Sequence, residues 1–437
     1  MTEFVVLLTA VLVFVLVFRQ QPVVWVAAGI FATVFVPIVA TRVWLIDVGP
    51  IGRIHPSLWI FLIGFVVTTV FSPLRRSGTK VRTGVVWLIG AWLVVTAVIV
   101  VLQSGSSIPG AFIVFYLTPP LAFFAIHAAA TREDANLWKK VVPVVLAAAA
   151  AESVLALLQV LTHSSLLFER YYASNYWWRD YLDRAPGTLD SPLDLAAFLT
   201  MAIPLAGTLR RTPLVYALAA LFAVGVVVSG SRTGVGVAAV LVVWLVFVRS
   251  TNVLAAVLTA LAVGLAAIAL LASPVAATLL GRFGEQGDSS TAARGDALGV
   301  GLDIVSRSPL GGNGAGYAYN FSTAFLQSSF ENAYLATAID FGIIVAGGMV
   351  LVQLLAVFGG GRPKLLFRLP GLVAILWGFI YSSFVSTGNF GPLSWIFIAL
   401  AAIAGYGSRP VVDPPQIRSR PAAVVRPAAS RTLVGKA

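Results

Sequence analysis

The chain contains no cysteine, which excludes disulfide staples, thiolate metal sites and cysteine nucleophiles. Histidine is almost as scarce. His55, His127 and His163 stand far apart in sequence and show none of the helical spacing of a zinc site. Charge is thin as well: 11% of the 437 residues are Asp, Glu, Lys or Arg and 59% are hydrophobic, where an average soluble domain carries about 25% charge. The apolar residues fall in repeated runs of helix-spanning length, which excludes a soluble globular chain. The opening MTEF holds an acid and no basic stretch, and no small-residue cleavage site follows the run from Val5 to Phe18. That run is expected to remain as a helix and not to leave as a signal peptide.

What is present is a series of 13 apolar runs, near 4–18, 22–40, 58–71, 84–102, 110–130, 141–161, 193–209, 213–228, 233–248, 253–272, 332–358, 370–386 and 393–406. The fold class expected is an all-α polytopic membrane protein of about 12–14 transmembrane helices with two longer external loops. A net charge of +12 raises the question of nucleic acid, so the placement of the charges has to be settled first. Of the 29 basic residues, 20 fall in one alternating set of connections and nine in the other. The positive-inside rule makes the richer set cytoplasmic. It includes the tail after Tyr406, rich in proline and arginine, which is expected to be disordered and drawn to anionic lipid. Nucleic acid loses its support, because the charge lies in short loops and a membrane-proximal tail. All five lysines are in the cytoplasmic set, so each outer basic residue is an arginine. Chance in an arginine-rich chain explains this as well as a demand for planar forks on phosphate.

The expected organisation is 1–161, N-terminal transmembrane helices; 162–192, an external aromatic and arginine loop; 193–272, central transmembrane helices; 273–331, a large external loop with a short helix and a glycine-rich turn; 332–406, C-terminal transmembrane helices; and 407–437, the basic cytoplasmic tail. In and beside the two long loops lie 10 of the 17 acids and six of the nine outer arginines, so chemistry belongs there. The first loop crowds Tyr171, Tyr172, Tyr176, Trp177, Trp178 and Tyr181 together, as an interfacial belt or as a platform for sugar or lipid. Arg184 precedes a Pro-Gly turn, and Asp190-Ser191-Pro192 signals a helix start. Arg232 sits among small residues in SGSRTGVG at the outer end of a span. A charge within a span costs about 2.5–3.5 kcal/mol on insertion scales, which marks Arg232 as functional unless it only snorkels to the interface.

In the second loop a helix is expected over 291–307, followed by a glycine-rich turn at 311–316. That turn lacks the GK[ST] of a nucleotide loop; it is either an anion-binding nest or an ordinary flexible turn. Glu331 stands at the mouth of the next span, as a helix cap or as a general base. Glu152 and Asp340 lie inside spans, where transporters place pathway acids, and they keep a transporter or flippase as an alternative.

Four segments in order, RAPGTLDSPLDLAAFL at 184–199, SGSRTG at 229–234, STAARGDALGVGLDIVSRSPLGGNGAGY at 290–317 and ENAYLATAIDFG at 331–342, resemble the O-antigen ligase and polysaccharide polymerase family of bacterial membrane glycosyltransferases. The resemblance implies a glycan transferred from a polyprenyl-diphosphate-linked donor to a glycan or glycolipid acceptor hydroxyl, at the external face of the bacterial cytoplasmic membrane. No cofactor is expected, and the placement of the basic residues leaves no nucleic acid partner. Arg184, Arg232 and Arg294 are implied as the arginines that contact the diphosphate. In the ligases a histidine precedes an asparagine, nine residues follow, and then a glycine. Asn332, residues 333–341 and Gly342 fit that frame here, but Glu331 replaces the histidine. That replacement favours a polymerase or a ligase outside lipopolysaccharide synthesis.

The chemistry of the residues agrees. Displacing a diphosphate from an anomeric carbon needs charge neutralised on the leaving oxygens, which arginines supply without a metal. It also needs a proton taken from the attacking hydroxyl, a role for Glu331 in direct, inverting attack. Glu331 and Arg232 are thus the expected catalytic pair, with Asn332, Gly342 and Asp190 in support. A divalent cation held by Asp190 and Asp194 and a peptidoglycan-polymerase-like enzyme are the alternatives.

Overall fold

The computed structural model describes residues 2–44, 52–71, 83–103, 108–132, 136–172, 184–250, 287–326, 328–359, 364–381 and 388–404, with Leu254 and Val257. The expected span at 253–272, most of the first loop's aromatic run and the basic tail lie outside the described residues.

Within them every regular element is a helix, and no strand occurs among the described residues. The order is α1 Thr2–Val17, α2 Pro22–Phe35, α3 Ile38–Trp44, α4 Pro56–Phe71, α5 Thr83–Leu102, α6 Ile108–Phe112, α7 Leu121–Arg132, α8 Leu137–Thr162, α9 Glu169–Tyr172, α10 Pro192–Ala206, α11 Thr212–Val228 and α12 Arg232–Arg249. Then come α13 Gly287–Arg307, α14 Tyr317–Phe325, α15 Ala333–Phe341, α16 Ile343–Phe358, α17 Leu365–Ile380 and α18 Phe390–Ile403. Among the described residues, three helices are long and apolar enough to cross a membrane, Gly84–Leu102, Leu137–Thr162 and Arg232–Arg249, and the bent pair Pro109–Leu117 with Leu121–Arg132 makes a fourth if it is one span. Most of the other apolar helices are 14–17 residues long. The chain is an all-α polytopic membrane protein.

Three of the apolar runs are broken where one continuous span was expected. The run 22–40 stops at Val36 because Pro37 cannot donate to a continuing helix, and α3 restarts at Ile38. The run 110–130 passes through a π-helical turn, Ile113–Leu117, and bends by 45° before Leu121; Pro119 and Pro120 occupy the bend. The run 332–358 breaks at Gly342 into α15 and α16.

The core forms around α10 and α18. Every residue of α18 is buried, as is nearly every residue of α10, the pattern of helices that are apolar all round and enclosed by others. α10 packs on α8, α11, α12, α17 and α18.

Contacts between connections sort them into two ends of the bundle. At one end Arg132 Nη1 donates to Thr69 O at 3.1 Å, Arg249 Nη2 donates to Leu209 O at 2.5 Å, and Arg19 lies over the Phe71 ring. At the other, Gln103 Nε2 donates to Gly311 O at 2.6 Å, Arg184 Nε to Ser229 O at 3.2 Å, and Ser191 hydrogen-bonds Tyr381. These groupings coincide with the two sets of connections separated by lysine and arginine content.

Candidate functional site

The first part of the site is the turn at 184–191, and α8 holds it. Glu152 accepts from Thr188 N at 2.9 Å and from the Thr188 hydroxyl. Seven residues along the same helix, Gln159 donates to Gly187 O at 2.8 Å and accepts from Gly187 N at 3.0 Å. Gly187 has φ +65°, and a Cβ there would collide with the Glu152 carboxylate, so the turn needs glycine for both reasons. Glu152 therefore anchors a loop. Tyr172, placed by sequence in an aromatic surface cluster, is buried and donates its hydroxyl to Thr188 O and Leu189 O at 2.9 and 3.1 Å. Tyr176, Trp177, Trp178 and Tyr181 lie outside the described residues, as does the side chain of Tyr171.

From this turn Arg184 reaches the loop between α11 and α12. Its Nε donates to Ser229 O, Ala185 N donates to Val228 O at 3.1 Å, and its aliphatic stem lies against Gly230, where φ is +64°. Two residues on, Arg232 opens α12 and is exposed, behind the N-cap Ser231, whose hydroxyl accepts from Gly234 N at 3.1 Å. A cation on the first residue of a helix opposes the macrodipole.

Glu331 supplies the opposite charge. Its Oε2 lies 2.9 Å from Arg294 Nε on α13, with side-chain exposures of 22% and 45%. Burial pushes its carboxyl above the ordinary glutamate range, against the lowering pull of Arg294, of a hydrogen bond from Ser328 and of Arg184 nearby. The cap is its neighbour: Asn332 Oδ1 accepts from Leu335 N at 2.9 Å and starts α15. Glu331 itself has φ +48°, a left-handed conformation that costs a residue with a Cβ roughly 1–2 kcal/mol. The helix gains nothing from that strain. Ser328 escaped the sequence reading because nothing in its own neighbourhood marks it.

Gly342 closes the frame. It has φ +89° and sits against the carbonyls of Pro309 and Leu310, where a Cβ would collide, while Ile343 N donates to Pro309 O at 2.8 Å. The frame of asparagine, nine residues and glycine is one helix with both of its ends. The glycine-rich turn is a nest, but its anion belongs to the chain: Asp340 accepts from Gly316 N and Ala318 N, each at 2.8 Å, and from the Tyr116 hydroxyl at 2.8 Å. The turn is thus neither an open anion site nor a flexible connector, and Asp340, like Glu152, holds loop amides.

Asp190 stitches three segments together. Its carboxylate accepts from Ile38 N at 2.7 Å and Asn389 N at 3.0 Å, backbone donors at the starts of α3 and α18. Asp194 is buried and hydrogen-bonds Ser191 and Tyr381. Among the described residues no group of three or more His, Asp or Glu side chains gathers as a metal site. The structure thus pairs Arg294 with Glu331, leaves Arg184 near enough for its charge to act on that carboxyl, and sets Arg232 at the start of α12, beside the loop that Arg184 touches; Asp190, Asn332 and Gly342 shape the backbone around them.

No curated protein and no solved structure matches the chain. Residues 196–350 match the family described as O-antigen ligase, a stretch that contains Arg232, Arg294, Glu331, Asn332 and Gly342. Over that stretch, about a third of its length, the chain is similar to the O-antigen ligase family.

Proposed function

We propose that the protein is a ligase or polymerase that moves glycan from a polyprenyl-diphosphate-linked donor to a sugar hydroxyl of a glycan or glycolipid acceptor. The reaction takes place at the outer face of the bacterial cytoplasmic membrane. The observation that carries this reading is the ion pair of Arg294 with Glu331, with the charge of Arg184 acting on the same carboxyl and Arg232 at the start of α12. Guanidinium forks suit the paired oxygens of a diphosphate. Glu331 is the carboxylate beside them, with its pKa raised by burial toward that of an effective base.

In the proposed step Glu331 takes the proton of the acceptor hydroxyl and the freed oxygen bonds to the anomeric carbon. The bond from that carbon to the diphosphate oxygen breaks, and its electron pair leaves with the diphosphate, whose charge rests on the arginines. Attack opposite the leaving group inverts the anomeric centre, and arginine supplies the charge stabilisation that a metal would otherwise give. The positive-inside rule assigns the site to the external face, since its connections belong to the set poor in basic residues.

Glu331→Gln is the direct test. It keeps size and removes basicity, so transfer should be abolished while donor binding and melting temperature stay near wild type. A normal transfer rate with a lowered melting point would sink the assignment. Glu152 and Asp340, the acids that favoured a transporter, are both hydrogen-bonded to loop amides.

A further inference from the structure

A carboxylate that must accept a proton is held here by the group that should bind the leaving phosphate. Arg294 Nε and Glu331 Oε2 are 2.9 Å apart in a half-open pair. Glu331 is not needed to start α15, because Asn332 does that, yet its backbone stays left-handed with the side chain on Arg294. Among the described residues, three groups act on the Glu331 carboxyl. α13 offers Arg294, the turn at 184–191 offers Arg184, and Ser328 adds a hydroxyl. Of the rest, Asp303 pairs with Arg307, Asp296 is exposed, Asp340 is held by two amides and Tyr116, and Tyr334 donates to Gln353.

We propose that Arg294 serves two anions in turn: it clamps Glu331 while the donor site is empty, and it swings onto the diphosphate when donor arrives, freeing the carboxylate to take the acceptor's proton. The inference rests on the diphosphate reading above. A diphosphate carries more negative charge than a carboxylate and presents paired oxygens to the guanidinium fork, so it competes well for the same arginine. Glu331 becomes a strong base only with donor bound. When the diphosphate departs and Glu331 yields its proton to water, Arg294 returns and the clamp is reset. Arg294 is in this scheme a positioning residue for Glu331 as well as a ligand of the donor.

The test uses the full chain in lipid nanodiscs, with inorganic pyrophosphate as the probe. The Glu331 carboxylate band is isolated by infrared difference against Glu331→Gln, and its titration midpoint is read with and without pyrophosphate. An arginine beside a carboxylate lowers its midpoint by about 1–3 pH units, so withdrawing Arg294 should raise the wild-type midpoint by roughly one pH unit or more. In Arg294→Gln the midpoint should start high, and pyrophosphate should move it by less than a third of the wild-type change. Arg294→Lys, which keeps the charge, should retain most of the wild-type rise. Equal rises in wild type and Arg294→Gln would show plain repulsion by the added anion and overturn the clamp, leaving the proposed reaction intact. So would an Arg294→Lys response no larger than that of Arg294→Gln. Pyrophosphate that fails to bind wild type, read by calorimetry, would overturn the diphosphate reading itself.

Discussion

Glu331 and Asn332 are neighbours with different duties, and two substitutions separate them. In Glu331→Gly the left-handed φ of +48° no longer carries a Cβ, which relieves roughly 1–2 kcal/mol. Against this, glycine gains freedom in the unfolded chain, worth about 0.4–1 kcal/mol. The lost ion pair, exposed at 45% and 22%, subtracts about 0–1 kcal/mol. At the middle of their ranges these terms leave about 0.3 kcal/mol, so Glu331→Gly should be about as stable as wild type. Asn332→Ala removes the bond to Leu335 N and should cost about 1 kcal/mol, enough to speed hydrogen exchange at that amide about five-fold. Activity should rank the other way. Removing a general base costs about 10²–10⁴-fold in rate, whereas the cap variant should transfer glycan within about ten-fold of wild type. Exchange at Leu335 and transfer of a fluorescent lipid-linked glycan, measured on the same preparations, read both. The reasoning fails if Glu331→Gly speeds exchange at Leu335 as much as Asn332→Ala does, or if it still transfers within ten-fold of wild type.

Arg232→Lys keeps charge but loses the planar fork, so transfer should fall at least ten-fold with expression unchanged; Arg307→Lys, whose parent pairs with Asp303, serves as the control, and full activity in Arg232→Lys would reduce the residue to an anchor. The raised pKa of Glu331 must place the acid limb of the rate profile above the ordinary glutamate value of about 4.3, with activity rising as the carboxylate ionises; Glu331→His should move that limb toward about 6.5. Asp340→Asn can no longer satisfy Gly316 N, Ala318 N and Tyr116 as a carboxylate does, and should cost about 1.5–3 kcal/mol, visible as faster exchange at both amides. Reporter fusions at Asp288 and Ser408 should give opposite compartments, with Ser408 cytoplasmic, and the same compartment for both would overturn the topology.

The helix at 291–307 and the turn after it were legible because their signals are local: polar spacing, then glycines. The structure extends the helix to Gly287 and gives the turn positive φ at Gly312, Gly314 and Gly316. The break at Pro37 was present in the letters but hidden by the apolar run around it. Asp340 and Glu152 could not be told from pathway acids, because the groups that satisfy them lie 22–224 residues away in sequence. The division of labour between Glu331 and Asn332 turns on one backbone angle, and residue type alone does not reveal which of two adjacent polar residues starts a helix.

The interval from Asn332 to Gly342 also acts as a ruler. Its nine helical residues span about 13–14 Å, pinned at one end by the cap on Leu335 and at the other by the carbonyls of Pro309 and Leu310. One inserted residue would rotate the two ends by about 100° relative to each other, with Gly342 fixed at its collar and Glu331 turned away from Arg294. Apart from Asp340, which holds the glycine-rich turn, composition within α15 can drift as long as it stays buried and helical. Its length cannot.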